Sequence, residues 1–452
     1  MCTVQILLVL GEDDVAPGPK TTPSATLMLD RLAGSVLFDD LIRRPPVLYQ
    51  RFRRFLSAVD RWDRARREEW RARRLDEVLN LARRIPGYRA RWVSDDFSVW
   101  PTLNKTDVAG QEHAFGTRPG LVAHKAATGG TTGVPLAIRR SPYSILVEQA
   151  SIDHVCAKAG LNLPRARVAV LRGDFVKPPS EMSPPYWRAG GRTKRIFSSF
   201  HLSRQSLPDY LREFHEFAPE VLSCYPSSLQ HLVDLVRERS ERLRIPFALT
   251  SSECIGPDTI KAAREVLGAR VIDYYGQAER VVSAYSIDGS DYFFLPAYGL
   301  AELIPEMADR ARIVGTSLWN ERQVFIRYDI GDFASVASMT EDTRRLIELG
   351  LAGFRDIDGR SSERIDLKDG RRVIGLNHLP RGVPGASSIQ FKHVQPELVE
   401  AFLVPSVEYG HDTDSALNRN FYAKFPPEIV LKITKIDVPI RSRSGKVNLL
   451  IA

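Results

Sequence analysis

No stretch of the chain is long and apolar enough to cross a membrane. Ile6–Leu10 is the longest apolar run near the start, far short of the roughly 20 residues a span needs. No basic leader precedes it, so a soluble, cytoplasmic protein is expected. Cysteine is scarce: Cys2, Cys156, Cys224 and Cys254 lie far apart with no CxxC pair, which excludes a disulfide framework and a zinc signature. Lysine is rare too, 13 of the 63 basic residues.

What the chain has in plenty is arginine. The formal charge is +8, and much of the excess falls between Arg43 and Arg91, where arginines recur around Phe52, Phe55, Leu56, Val59, Trp62 and Trp70. Such a stripe can be a nucleic-acid footprint. Here Asp60, Asp63, Glu68, Glu69, Asp76 and Glu77 interrupt it, and Arg and Glu both favour exposed helix faces, so a solvated helix is the expected reading. Nucleic acid and membrane are not expected partners.

A length of 452 residues exceeds the roughly 250–300 at which one hydrophobic core stops growing. The 43% apolar and 26% charged residues are those of an ordinary folded protein. Residues 1–27 read as a loose segment. From Leu29 to Arg84 apolar residues recur at three and four, predicting helix until Pro86 stops it. Beyond Pro101, β-rich runs (Val168–Leu171, Val271–Tyr275, Phe325–Tyr328) alternate with helical ones (Leu207–Phe217, Leu229–Arg242, Pro257–Leu267). That alternation predicts an α/β fold with a parallel-rich sheet flanked by helices. A large domain over 28–359 would be followed by a small, mobile α+β domain over 360–452, with strands at Ile429–Ile433 and Val447–Ile451.

Three stretches carry chemistry. In Thr128-Gly129-Gly130-Thr131-Thr132-Gly133-Val134-Pro135, the glycines let backbone N–H groups turn toward an anion and the threonine hydroxyls add uncharged donors. The spacing is neither that of a P-loop nor GxGxxG, and the same residue types also build ordinary turns. In Asp273-Tyr274-Tyr275-Gly276-Gln277-Ala278-Glu279, a strand runs into an aromatic, a turn and a carboxylate, which together can stack a base and hold a hard cation. The alternative is a buried strand ending in a turn. In Arg327-Tyr328-Asp329-Ile330-Gly331-Asp332, the last aspartate can accept bonds from a diol, or can simply shape a turn.

In this order the stretches resemble the adenylate-forming superfamily, most closely its phenylacetate-CoA ligase-like branch, which includes capsule-biosynthesis relatives. Leu249-Thr250-Ser251-Ser252-Glu253, Gly315-Thr316-Ser317, Asp358-Gly359-Arg360 and Ser444-Gly445-Lys446 add to the likeness, which runs from about Leu75 onward. The resemblance implies that ATP and Mg2+ activate a carboxylic acid as an acyl-adenylate, releasing pyrophosphate. The acyl group would then pass to CoA or, in the alternative, to an amine, hydroxyl or carrier-protein thiol. A non-catalytic nucleotide-binding relative is the third reading.

Carried over by position, Thr128, Gly129, Gly130, Thr131, Thr132 and Gly133 would form the loop over the ATP phosphates. Glu253 would line the nucleotide pocket, Tyr275 would flank the adenine, Asp273 and Gly276 would be further cofactor-binding residues, and Glu279 would hold Mg2+. Asp332 would bind the ribose hydroxyls, helped by Arg360, and Lys446 would be the catalytic cation. The chain departs from the pattern at Val134, where many relatives carry lysine, and at Ser362, where many carry a hinge aspartate.

Overall fold

The computed structural model describes residues 41–452 apart from 90, 92–93, 95, 118–123, 128–135, 173, 179–180, 338–339, 359–364, 368–371, 374–375, 377–378, 381, 442–446 and 452. Among the described residues of the expected N-terminal helical run, residues 41–43 are helical and two longer helices follow. α1 (Pro46–Val59) opens with proline at its first position, where a missing N–H costs nothing, and buries Tyr49, Phe52, Leu56 and Val59 at helical spacing. The chain then turns, and Asp63 caps α2 (Arg64–Ala82) by accepting the Arg66 N–H at 2.9 Å. Pro86 therefore does not end the long helix; it opens a short one of its own, Pro86–Arg89.

The arginines of α2 correct the expectation of a solvated face. Arg67, Arg71 and Arg74 each donate at 2.8 Å to a backbone carbonyl elsewhere in the chain, those of Leu349, Ala301 and Leu318. The helix is tethered by its guanidiniums, while Arg64, Arg66 and Arg73 remain exposed.

The central element is an eight-stranded sheet in the order β10-β9-β8-β7-β6-β3-β5-β4. Its members are β3 (Val168–Arg172), β4 (Trp187–Ala189), β5 (Lys194–Ser198), β6 (Val221–Cys224), β7 (Phe247–Ser251), β8 (Arg270–Gly276), β9 (Ser283–Ile287) and β10 (Phe293–Phe294). The five central strands, from β8 to β5, are parallel; β9, β10 and β4 are antiparallel edges. Side chains alternate between two cores, as a period of two requires. Ala169, Leu171, Leu222, Cys224 and Val271 enter the core shared with α4 (Leu207–Phe217), α5 (Pro226–Glu238) and α6 (Pro257–Leu267). Val221, Leu249, Ile272 and Tyr274 enter the opposite core, with α3 (Pro142–Lys158).

A second, antiparallel sheet packs near the end of β8. It comprises β11 (Gly299–Met307), β12 (Arg310–Ser317), β13 (Tyr328–Ser335) and β14 (Asp356–Asp358). Close approach explains the glycine in Gly315-Thr316-Ser317, since a Cβ there would lie 2.8 Å from side-chain atoms of Val281 and Val282. The expected strand Phe325–Tyr328 is a correction: only Tyr328 is in a strand. Arg327 has φ of 47°, a left-handed conformation that interrupts the extended backbone just before β13 begins.

A hairpin of β1 (His124–Ala127) and β2 (Ala137–Arg140) flanks the Gly/Thr stretch. The C-terminal region has its own core, around Phe391, Val399, Leu403, Leu417 and Phe421. Its sheet runs in the order β17-β16-β15-β18, from β15 (Ala386–Gln395), β16 (Leu398–Pro405), β17 (Val430–Lys435) and β18 (Leu450–Ile451), with α7 (His411–Tyr422). The last strand begins at Leu450 rather than at Val447. The architecture is α/β, with a parallel-rich sheet between helical layers and a small C-terminal sheet region. No helix of the described residues is long and apolar enough to cross a membrane.

Candidate active site

Open parallel sheets bind ligands outside the carboxyl ends of their strands, where the connections diverge. From β3 the chain goes outward to β5 and then returns to β6 on the other side, so the crevice lies between β3 and β6. Arg172 ends β3 and Tyr225 follows β6; the guanidinium carbon sits 5.6 Å from the tyrosine ring. Arg172 Nη2 also donates to Ser251 Oγ, at the end of β7, at 3.0 Å.

β8 delivers the second chemical stretch to this same edge. Asp273 is buried, with Oδ1 accepting from the Thr250 hydroxyl at 2.5 Å and Oδ2 from the Tyr292 hydroxyl at 2.6 Å. Burial pushes its carboxyl up to about 6, against the two hydrogen bonds. Two steps on, the Tyr275 hydroxyl donates to Asp332 Oδ2 at 2.7 Å, so the expected adenine and ribose residues touch. Gly276 lies exposed at the end of the strand.

The turn after β8 is held rigidly. Arg140 Nη2 donates to the Ala278 carbonyl at 2.8 Å, and Arg280, in a left-handed conformation at φ of 57°, donates to the Ser144 carbonyl at 2.7 Å. Glu148 accepts from Tyr298 and pairs with Arg280 at 3.5 Å. Between these anchors Glu279 is 5% exposed. Its Oε1 accepts from the Tyr328 hydroxyl at 2.9 Å, and its Oε2 is buried with no hydrogen-bond partner among the described residues.

A buried carboxylate oxygen without a donor is costly, and a hard cation would satisfy it. Among the described residues no group of three or more His, Cys, Asp and Glu could hold a metal. A cation at Glu279 would therefore draw its other ligands from a bound phosphate and water, the usual manner for Mg2+. The residues present fit that ion.

Glu253 connects two parts of the chain. Its Oε2 accepts the Ser227 N–H in the first turn of α5, and its Oε1 accepts the Val447 N–H of the C-terminal region, both at 3.0 Å. Burial raises its carboxyl above the usual glutamate range, with the Ser227 and Val447 donors opposing. Arg441 comes from the same C-terminal region: burial lowers its ionisation, and the charge of Glu253 is foremost among those that oppose this.

Thus Glu253 lies just beyond β7, Asp273 in the middle of β8 with Tyr275 and Gly276 at its end and Glu279 in the turn that follows, and Asp332 in the middle of β13. Thr128, Gly129, Gly130, Thr131, Thr132, Gly133, Arg360 and Lys446 fall outside the described residues. Sequence reasoning missed Tyr328 and Thr250, although both stand inside quoted motifs, and Arg441, whose only signal was its place between Pro439 and Lys446. His201 belongs to packing: it bonds Ser198 Oγ at 2.7 Å and stacks on Tyr186.

No family model matches the chain. Its fold is similar to that of 2-hydroxyisobutyryl-CoA ligase in the postadenylation state with R3-HIB-AMP, with a TM-score of 0.60 over 86% of this chain and 90% of that one, at 16% identity. The same ligase with 2-HIB-AMP and CoA in the thioesterification state gives 0.50 at 17% identity, over 86% and 90%. In sequence the chain is distantly similar to protein CapK of Staphylococcus aureus, 20% identical over 239 residues; the match spans 51% of this chain and about half, 52%, of CapK.

Proposed function

We propose that the protein is an adenylate-forming ligase, which activates a carboxylic acid with ATP and transfers the acyl group to CoA. The observation that carries this reading is the pairing at the end of β8 of Tyr275 with Asp332 and of Glu279 with Tyr328. One pair presents an aromatic ring and a carboxylate for a nucleoside, the other a free carboxylate oxygen for a cation.

Attack of a carboxylate on the α-phosphate brings two anions together, so the site must supply positioned N–H donors and positive charge more than an acid–base pair. Bound Mg2+ would supply charge neutralisation on the phosphates, held through Glu279. The Thr128–Gly133 backbone would cradle the phosphates, Asp332 the ribose, and Lys446 the charge that develops on the reacting oxygens. The likeness to the 2-hydroxyisobutyryl-CoA ligase complex with CoA supports CoA as acceptor. The C-terminal region from residue 360, on this reading, is the domain that moves between the two half-reactions.

The test is acid-dependent exchange of labelled pyrophosphate into ATP with Mg2+, using pooled aryl, fatty, amino and hydroxy acids without an acceptor. Exchange with one pool establishes adenylation, and CoA-dependent loss of the adenylate then establishes the acceptor. No exchange with any pool, while ATP binds, removes the reading.

A further inference from the structure

Glu253 was expected beside the nucleotide, yet a carboxylate is a poor neighbour for a polyphosphate, because like charges at close range repel. The structure gives its charge other uses. Ser227 is among the first N–H groups of α5, which have no partner inside the helix, and an anion there is favoured by the helix dipole. The bond from Ser227 N–H to Oε2 thus fixes the carboxylate on the main α/β sheet layer. That leaves Oε1 presented to the C-terminal region, where the Val447 N–H takes it at 3.0 Å across 194 positions of sequence. Arg441 comes from the same segment, six residues earlier, with Glu253 the foremost of the charges that hold it ionised.

We propose that Glu253 is a positioning residue that clasps the C-terminal segment: anchored on α5, its carboxylate receives the Val447 N–H. The clasp thereby fixes the chain immediately after Lys446 against the carboxyl edge of the main sheet. The contact stands on geometry alone; its consequence for catalysis rests on the adenylation reading. Glu253 acts through the segment that it holds, not on the substrate.

Hydrogen–deuterium exchange on the full chain reads the clasp directly, because the Val447 amide is one of its bonds. Glu253→Gln, which keeps the shape and removes the charge, is expected to speed exchange in the 447–451 peptide at least tenfold while peptides of β3, β6 and β7 are unchanged. Val447→Pro, which removes the donor itself, should do the same for the amides of 448–451, and the double variant should add little. Should Glu253→Gln fail to fold, Val447→Pro, outside the main sheet, still decides.

In the adenylation assay both variants should lower kcat and leave the ATP dissociation constant within about threefold. Unchanged protection at 447–451 in either folded variant overturns the clasp, as does an ATP affinity weakened tenfold with protection intact, which would return Glu253 to the nucleotide. If the unaltered protein exchanges pyrophosphate with no acid, the adenylation reading falls, and the amide protection still judges the clasp.

Discussion

The Tyr328 hydroxyl donates to one oxygen of Glu279 and leaves the other, buried, without a partner among the described residues. β13 thereby orients a carboxylate that stands on the turn after β8, and the free oxygen is the one a bound cation would satisfy. Tyr328→Phe removes that orientation. It should raise the Mg2+ concentration for half-maximal pyrophosphate exchange several-fold and, because a bond to a charged group is lost, cost about 1.5–3 kcal/mol of stability. Unchanged Mg2+ dependence would show that the bond positions nothing.

Lys446→Ala should abolish most adenylation and spare ATP binding, since the charge is needed only as the reaction proceeds. The expected loss in kcat is about 10²–10³-fold, the usual value of one aimed electrostatic group. Isothermal titration with ATP, beside the exchange assay, separates the two effects; near-normal turnover contradicts the role.

Asp332→Ala should weaken ATP itself. Loss of bonds between a carboxylate and a ribose diol is worth about 1.5–3 kcal/mol, read as the ATP dissociation constant. Tyr275→Phe leaves the carboxylate in place but frees its second oxygen, so a smaller effect is expected. Equal effects would mean that the pair acts through its mutual bond.

Asp273 makes stability depend on pH. Its folded value of about 6 lies above the 3.8 of an ordinary aspartate, so the folded state holds the proton more tightly. Its contribution is full below about pH 4 and is lost as the pH rises through 6. The difference corresponds to about 3 kcal/mol as an upper figure. Measured as the difference in Tm between wild type and Asp273→Asn, which cancels other groups, the relative stability of the wild type should fall from pH 4 to pH 6. A flat difference would remove the assignment.

The α/β alternation was legible because buried parallel strands are short apolar runs and their helices keep a 3.6-residue period. Leu207–Phe217 and Pro257–Leu267 have the boundaries their pattern predicts. Phe325–Tyr328 looked like a strand because all four residue types favour one or pack well, and nothing local announces that Arg327 adopts a left-handed conformation. In the site, Tyr275, Glu279 and Asp332 could be read from order and spacing. Their partnership could not: Tyr275 and Asp332 are 57 positions apart, and Tyr328 and Glu279 are 49 apart. Glu253 was legible as a site residue but not as a contact of Val447, which depends on how two separately packed regions meet.

The sequence's isoelectric point of about 9.3 tallies charge without regard to where it is anchored. In α2, Arg67, Arg71 and Arg74 work as struts, each guanidinium braced on a carbonyl from a different stretch of the β-rich half. A strut cannot also reach for a phosphodiester. Three of the arginines that make this part of the chain look most like a polyanion grip are joinery, fastening the helical shoulder to the sheets.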